Sequence, residues 1–469
     1  MESNLLFLKE REVLSESGLP DFLARKWREE YFEQEDSEVI YLDNEQIRAL
    51  LPVWKKTIDR EASELVKKAR GTLSGLPEGC MYRNINIPDW HKAALIVEIF
   101  RNSAISKNAG VLATEELQKK LASIIHIGEI VFVLGWGQPK RSCGGLKTLG
   151  AYADFSELYA IARLQILSKA LSLVTGNKIL IKVLTGGSRF WQALFTRPEL
   201  TREYDRQRNS IAECFAAEQS RVMFLPWTEE NFYQNEDIEK LVTEQASSVD
   251  ENVVSGKIST ILLNIDWDTI IDSDSLISPH NIKLPEVLKQ FLITNGNNVK
   301  STLIYAGIVS LLNPRTQNYW LAKIGNEEVF EALISFMYKV AYESARKYIA
   351  IHTLNPDSEK ILETKELNNA IRLTVHVKRD RPDIPAIFTL GEQGGNKLSQ
   401  HVIACVNNES KVHFMTHVEA MSLVNRPLAM KAASSDVPFS WLSNAQQPLL
   451  YFSNGCADPI EMLKRISFN

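Results

Sequence analysis

Cysteine is scarce in this chain and nowhere grouped: the five residues, Cys80, Cys143, Cys214, Cys405 and Cys456, stand far apart, odd in number and without a CxxC pair. That excludes a disulfide-stapled scaffold and the short ligand spacings of a zinc site, and leaves reduced thiols as the expected state. Long apolar runs are missing too. The best of them, 303–312, falls well short of the ~20 residues needed to cross a bilayer. The opening MESNLLFLKEREVL is broken by Lys and Glu before a signal-peptide core could form, which makes the cytosol the expected compartment. There is no excess of positive charge either. A formal net charge of -5 provides no field for a nucleic-acid backbone, and no local basic patch stands in for it.

Several signatures are equally absent. GxxxxGK[ST] is missing, as are GxGxxG behind a strand, GxSxG and HExxH, so a P-loop, a dinucleotide fingerprint, a hydrolase elbow and a zincin helix are not expected. His413 and His417 flank FMT without a metal-ligand spacing, and no metal or organic cofactor is expected. No internal repeat or low-complexity tract occurs. What remains is an ordinary globular composition, 45% hydrophobic and 24% charged over 469 residues. At about 100–200 residues per domain, that length allows two or three domains.

The first 125 residues carry helical spacing, as in WHKAALIVEIFRN and ATEELQKKLASIIH. From Glu129 the pattern changes. EIVFVLGW, then a long amphipathic stretch over 156–174, then KILIKVLTGG spell a β-α-β unit with two neighbouring parallel strands. A second helical stretch over 202–217 leads into RVMFLPW, a third parallel strand. Residues 235–260 are acidic and polar, fitting a helical excursion or surface insertion. From Val329 a long helix precedes AIRLTVHVK, PAIFTLG, HVIACVN and KVHFMTHV, whose short alternation fits antiparallel strands joined by polar turns.

Three segments carry candidate chemistry. The first strand empties into a Gly/Pro-broken loop holding Lys140, Arg141 and Ser142, and the loop leaving the carboxyl end of a strand is where α/β proteins hold anions. The second strand ends in Thr185-Gly186-Gly187-Ser188-Arg189, where the glycines let backbone N–H groups approach a ligand and Ser188 and Arg189 add donors. One crossover joins the two strands, so both loops emerge at the same sheet end. In IRLTVHVK, period-two alternation puts Arg372, Thr374, His376 and Lys378 on one face, with an imidazole suited to proton transfer near neutral pH. A solvated loop, a simple left-handed turn and an edge strand with one wet face are the competing explanations, and spacing alone leaves both sets open.

Taken in order, these segments resemble the isonitrile (isocyanide) synthase family, also described as the pyoverdine/dityrosine biosynthesis family. LGWGQPKRS is similar to the family's Leu-Pro-Ala-Phe-Pro-x-Lys-Ser loop and sets Lys140 on the family lysine. Leu149-Gly150 followed by Asp154 and SELYAIARLQIL resembles its Leu-Gly-x-x-x-Asp and helix, and LTGGSRF its Ser-Asp-Gly-x-x-(Phe/Tyr). IRLTVH at 371–376 echoes Ile-Arg-Leu-Ser-Ile-His, and Gln400-His401-Val402-Ile403-Ala404 its Trp-His element. The resemblance spans about 85–406. Gly186 stands where the family has Asp, Arg141 takes the serine position and Gln400 replaces Trp.

The resemblance implies conversion of an amino-acid amine, often that of tyrosine or tryptophan, into an isonitrile, with ribulose 5-phosphate as carbon donor and no cofactor. It gives catalytic duties to His376, His401 and Lys140, and binding duties to Arg141, Ser142, Ser188, Arg189, Arg372 and Lys378. The implied partners are the two small-molecule substrates and tailoring enzymes of a biosynthetic pathway. The expected architecture is an α/β fold with a Rossmann-like mixed central sheet: a helical region over 1–125, then a catalytic domain over 126–469 with an insertion near 230–300. Two alternatives keep that fold: another amino-acid or sugar-phosphate condensation, or a non-catalytic protein that binds a partner.

Overall fold

The structure, a computed structural model, describes residues 37–42, 44–73, 89–103, 112, 114–136, 153–185, 193–195, 198–226, 238–262, 264–272, 282–295, 297–354, 367, 369–375, 381, 383–387, 390, 399, 402–407, 409–415, 449–454 and 458–468. In chain order its elements begin with β1 (Ser37–Leu42), α1 (Asn44–Thr72), α2 (Asp89–Asn102), α3 (Thr114–Ile124), β2 (Glu129–Trp136), α4 (Phe155–Thr175), β3 (Lys178–Thr185), α5 (Pro198–Phe215) and β4 (Ser220–Pro226). A helical run follows: α6 (Ile238–Ser247), α7 (Glu251–Leu262), α8 (Trp267–Asp272), α9 (Glu286–Asn295), α10 (Asn297–Leu312), α11 (Gln317–Ile324) and α12 (Glu327–Leu354). Then come β5 (Ile371–Leu373), β6 (Ile403–Val406), β7 (Val412–Met415), β8 (Leu449–Asn454) and α13 (Pro459–Lys464).

The expected β-α-β unit is β2-α4-β3, and β4 is the expected third parallel strand. The central sheet runs β4-β3-β2-β5 with all neighbours parallel, so the α/β class and its Rossmann-like arrangement are present. Two details differ from the sequence pattern. Mixed pairing lies in a second sheet, β1-β8-β6-β7, rather than in the central one. The strand in AIRLTVHVK joins β2 in parallel instead of an antiparallel cluster, because Ile371 and Leu373 sit opposite Phe132 and Leu134 and complete the same buried face. HVIACVN and KVHFMTHV do form an antiparallel pair, β6 and β7. The described part of the amino-terminal region is helical as expected and also contains β1, which pairs with β8 from residues 449–454.

One face of the parallel sheet packs on α4. That helix is buried almost all round, with an Asp154 cap at its start and Gly176 in the left-handed region at its end, where the Gly176 N–H reaches Ser172 O at 2.8 Å. Among the described residues it is the one helix long and apolar enough to cross a membrane, and it is buried almost all round rather than amphipathic as its sequence pattern suggests. Its enclosure by sheet and neighbouring helices accounts for that apolarity. α1 lays Leu50, Trp54, Ile58, Ala62, Leu65 and Ala69 against the same core at three- and four-residue steps. The carboxyl-terminal segment closes over it: Trp54 Nε1 donates to Leu463 O at 2.9 Å, and Tyr159 Oη to Ser467 O at 3.1 Å.

The helices from α7 to α12 build a second core around Trp267 and Trp320, both fully buried, with Val329, Leu333, Phe336, Met337 and Val340 as the apolar stripe of α12. Residues 193–195, between β3 and α5, are buried and tie the two bodies together, Asp266 N donating to Leu194 O at 3.0 Å.

α1 also buries an acid. Loss of hydration pushes the Glu61 carboxyl above its ordinary value of 4.5, against the lowering effect of hydrogen bonds from Ser467 Oγ (2.7 Å) and Phe468 N (3.2 Å). A carboxyl whose pKa is higher folded than unfolded favours folding below the unfolded value and loses that contribution as pH rises through the folded one. Glu61→Gln keeps an acceptor and sheds the buried charge. Its stability relative to the parent is expected to increase as pH rises from about 4 to about 7. Urea titrations at both pH values measure this, and a constant difference contradicts it.

Candidate functional site

The chain steps outward from β2 to β3 to β4, then returns to place β5 on the other side of β2. In open parallel sheets the crevice outside the carboxyl ends at such a reversal is where ligands bind. Here the reversal falls between β2 and β5. Leu134 is opposite Leu373, β2 ends two residues later at Trp136, and β5 leads on through Thr374 and Val375. That extension is held firmly: Thr374 N donates to Pro385 O (3.0 Å), Ile387 N donates to Thr374 O (2.8 Å), and Val375 is buried in the main core.

A buried polar layer lies at the same end of the sheet, where α4 and α5 begin. Asp154 caps α4 by accepting from Ser156 N at 2.8 Å, while Glu157 Oε2 reaches back to Asp154 N at 2.8 Å, a reciprocal capping box. From α5, Tyr204 Oη donates to Glu157 Oε1 at 2.7 Å, and Gln207 Oε1 accepts from Ala153 N at 2.8 Å. Burial, and next the Glu157 carboxylate, hold the Tyr204 phenol well above its ordinary value, so it stays a donor. Thr185, the last residue of β3, donates through Oγ1 to Asp205 Oδ2 at 2.9 Å, and Asp205 pairs with Arg208. The Arg208 guanidinium is fully buried between the Tyr204 and Phe224 rings, its Cζ 4.2 and 4.7 Å from their centroids, with Nε and Nη1 lacking hydrogen-bond partners among the described residues.

Lys140, Arg141, Ser142, Ser188, Arg189, His376, Lys378 and His401 lie outside the described residues. Their flanks are described. Trp136 precedes Lys140 by four residues, Thr185 precedes Ser188 by three, and Val375 precedes His376 directly. On either side of His401, the carbonyls of Ser399 and Val402 both accept from Ser156 Oγ at 3.1 Å, which pins those two residues to the amino end of α4. Arg372 is described. It is half-buried in a cleft of ≈ 320 Å³ with Ile371, α3 residues Glu116, Leu117 and Lys120, and the segment Arg381, Asp383 and Ile384.

Sequence reasoning missed Tyr204, Asp205, Arg208 and Lys120. Asp205 and Arg208 have the i,i+3 spacing of any surface ion pair, and local sequence gives no sign of their burial. Among the described residues, no group of three or more His, Cys, Asp or Glu is placed to hold a metal ion.

No protein-family model matches the sequence, and no curated protein does. Among solved structures, the crystal structure of the PvcA protein from Pseudomonas aeruginosa overlaps this one with a TM-score of 0.38 at 16% identity, over 70% of this chain and 94% of that one.

Proposed function

We propose that this chain is a small-molecule biosynthetic enzyme that converts an amino-acid amine to an isonitrile, with a sugar phosphate such as ribulose 5-phosphate as carbon donor. The observation that supports this reading is the strand order: its reversal sets the ends of β2 and β5 side by side, at the edge where α4 also holds Ser399 and Val402. The sequence just beyond those three anchors carries Lys140, His376 and His401.

In this reading Lys140, Arg141, Ser142, Ser188 and Arg189 hold the phosphate, and Arg372 or Lys378 pairs with the amino-acid carboxylate. The amine adds to the C2 ketone and water is lost to give an imine; both carbon–carbon bonds at C2 then break, the C1 and C3–C5 portions of the sugar leave as separate fragments, and C2 stays on nitrogen as the isonitrile carbon with no net oxidation or reduction. Each step moves a proton, and His376, His401 and Lys140 supply donors and acceptors. The residues 230–300 form an insertion on the catalytic domain, and the enzyme works in the cytosol beside tailoring enzymes of the same pathway. A second reading, another condensation on the same scaffold, is favoured by Gly186, which leaves the strand-end loop without an acid.

Purified protein incubated with tyrosine or tryptophan and ribulose 5-phosphate is expected to yield the isonitrile by mass spectrometry. A carbon–nitrogen adduct without an isonitrile supports the second reading, and no consumption of ribulose 5-phosphate or of any of the twenty amino acids contradicts both.

A further inference from the structure

We infer that Ser156 is a positioning residue: its buried hydroxyl sets the two-residue span of Gln400 and His401 against the carboxyl edge of the parallel sheet, and so governs proton transfer by His401. The part played by His401 rests on the proposed reaction; Ser156 is the residue added to it.

Lys140 and His376 follow β2 and β5, which are paired in the parallel sheet. His401 directly precedes Val402, and β6 belongs to the second sheet, so among the described residues strand pairing does not register it against the other two. Apolar packing joins the sheets through Val402, Ala404 and Val406 in the main core, but that force has no direction. Hydrogen bonds do. Ser399 O and Val402 O each lie 3.1 Å from Ser156 Oγ, and Val402 N closes back onto Ser399 O at 3.4 Å. Ser156, Ser399 and Val402 are all buried, so water does not replace the hydroxyl at either carbonyl.

Consecutive Cα atoms across a trans peptide are about 3.8 Å apart. Two residues therefore bridge two fixed carbonyls, which limits where the His401 backbone can stand. The hydroxyl is itself held from behind, with Asp154 Oδ1 at 2.5 Å and the same oxygen accepting from Ser156 N at 2.8 Å. Ser156→Ala keeps that backbone bond and the return bond from Asp154 N to Glu157, so it removes the clamp while the start of α4 stays capped.

The full chain, carrying ¹³C-labelled histidine rings, tests this by nuclear magnetic resonance, with the His401 signal assigned through His401→Gln. Ser156→Ala is expected to move the His401 ring resonance and its titration midpoint and to leave the other histidines in place. Ser168→Ala is the control, since it also deletes a buried hydroxyl bond of α4, to Ile179 O at 3.3 Å, and should leave His401 unmoved. Ser156→Cys, close in size and a weaker donor, should shift the signal in the same direction by less, and it carries the test if the alanine variant does not fold. A His401 signal that superimposes on that of the parent in Ser156→Ala, or in Ser156→Cys where the alanine variant does not fold, overturns the inference, as does an equal shift in Ser168→Ala. With tyrosine and ribulose 5-phosphate, kcat of Ser156→Ala should fall by up to about 10²-fold, the cost of misplacing a reacting group by about 1 Å, while KM for the sugar phosphate changes little; an unchanged kcat overturns it too. A parent that makes no isonitrile while His401 still responds to Ser156→Ala defeats the reaction and leaves the clamp standing.

Discussion

Replacing His376 with glutamine is expected to lower the rate of isonitrile formation by roughly 10²–10⁴-fold, the usual worth of a positioned acid–base group, while the protein remains folded. Imidazole is the side chain whose ordinary pKa lets it both give and take a proton near neutrality; glutamine matches its size and hydrogen bonding but does neither. The backbone leading to this position is fixed. Val375 is buried in the core and Thr374 is bonded on both sides, to Pro385 and Ile387. The substitution therefore changes chemistry rather than anchorage. Steady-state kinetics with a parallel melting curve measure the effect, and a variant within about threefold of the parent removes His376 from proton transfer.

Asp205→Ala is expected to destabilise the protein by about 3–5 kcal/mol, the range for stripping one partner from a buried ion pair. Among the described residues, the Arg208 guanidinium has Nε and Nη1 without hydrogen-bond partners, and its ion pair is with Asp205. Losing that carboxylate leaves a buried cation facing two aromatic rings. The same change deprives Thr185 Oγ1 of its shorter hydrogen bond, the 2.9 Å contact to Asp205, and so loosens the residue from which the Gly186-Gly187 loop departs. Removing both charges with Asp205→Leu and Arg208→Met should recover much of the loss, since an apolar pair of similar volume avoids the unpaired charge. Urea denaturation of the single and double variants checks this. A single variant losing less than about 1 kcal/mol, or a double variant no better than the single, contradicts it.

The β-α-β unit and the third strand were legible because each is a local pattern: a β-branched run, a helical period, a glycine stop. β1 and β8 were not, because they pair residues from opposite ends of the chain, Ser37 with Asn454 through Leu42 with Leu449, and neither end signals the other. The edge strand β5 was legible as a strand but not in its direction. Its parallel pairing follows from what lies across from it, and only the assembled core supplies Phe132 and Leu134 as neighbours.

For the candidate site, Gly/Pro breaks followed by cations point to the segments after β2 and β3; those segments lie outside the described residues, and the parallel pairing of β2 and β3 shows that both strands end at the same edge of the sheet. The buried layer was hidden by its own composition. A stretch such as Tyr204-Asp205-Arg206-Gln207-Arg208 looks solvated, yet of these five only Arg206 is exposed, because α5 turns the others onto α4 and β3. Lys120 was hidden for a similar reason. Its interest lies in Arg381 and Asp383, more than 250 residues further along.

A crystal structure of the protein with ribulose 5-phosphate bound tests the central claim most directly. The account predicts the sugar phosphate in the crevice beyond the carboxyl ends of β2 and β5, its phosphate against Lys140 and Arg141 and its ketone within hydrogen-bonding reach of His376. Ligand density elsewhere on the molecule, or Lys140 and His376 on opposite sides with no cavity between them, contradicts it.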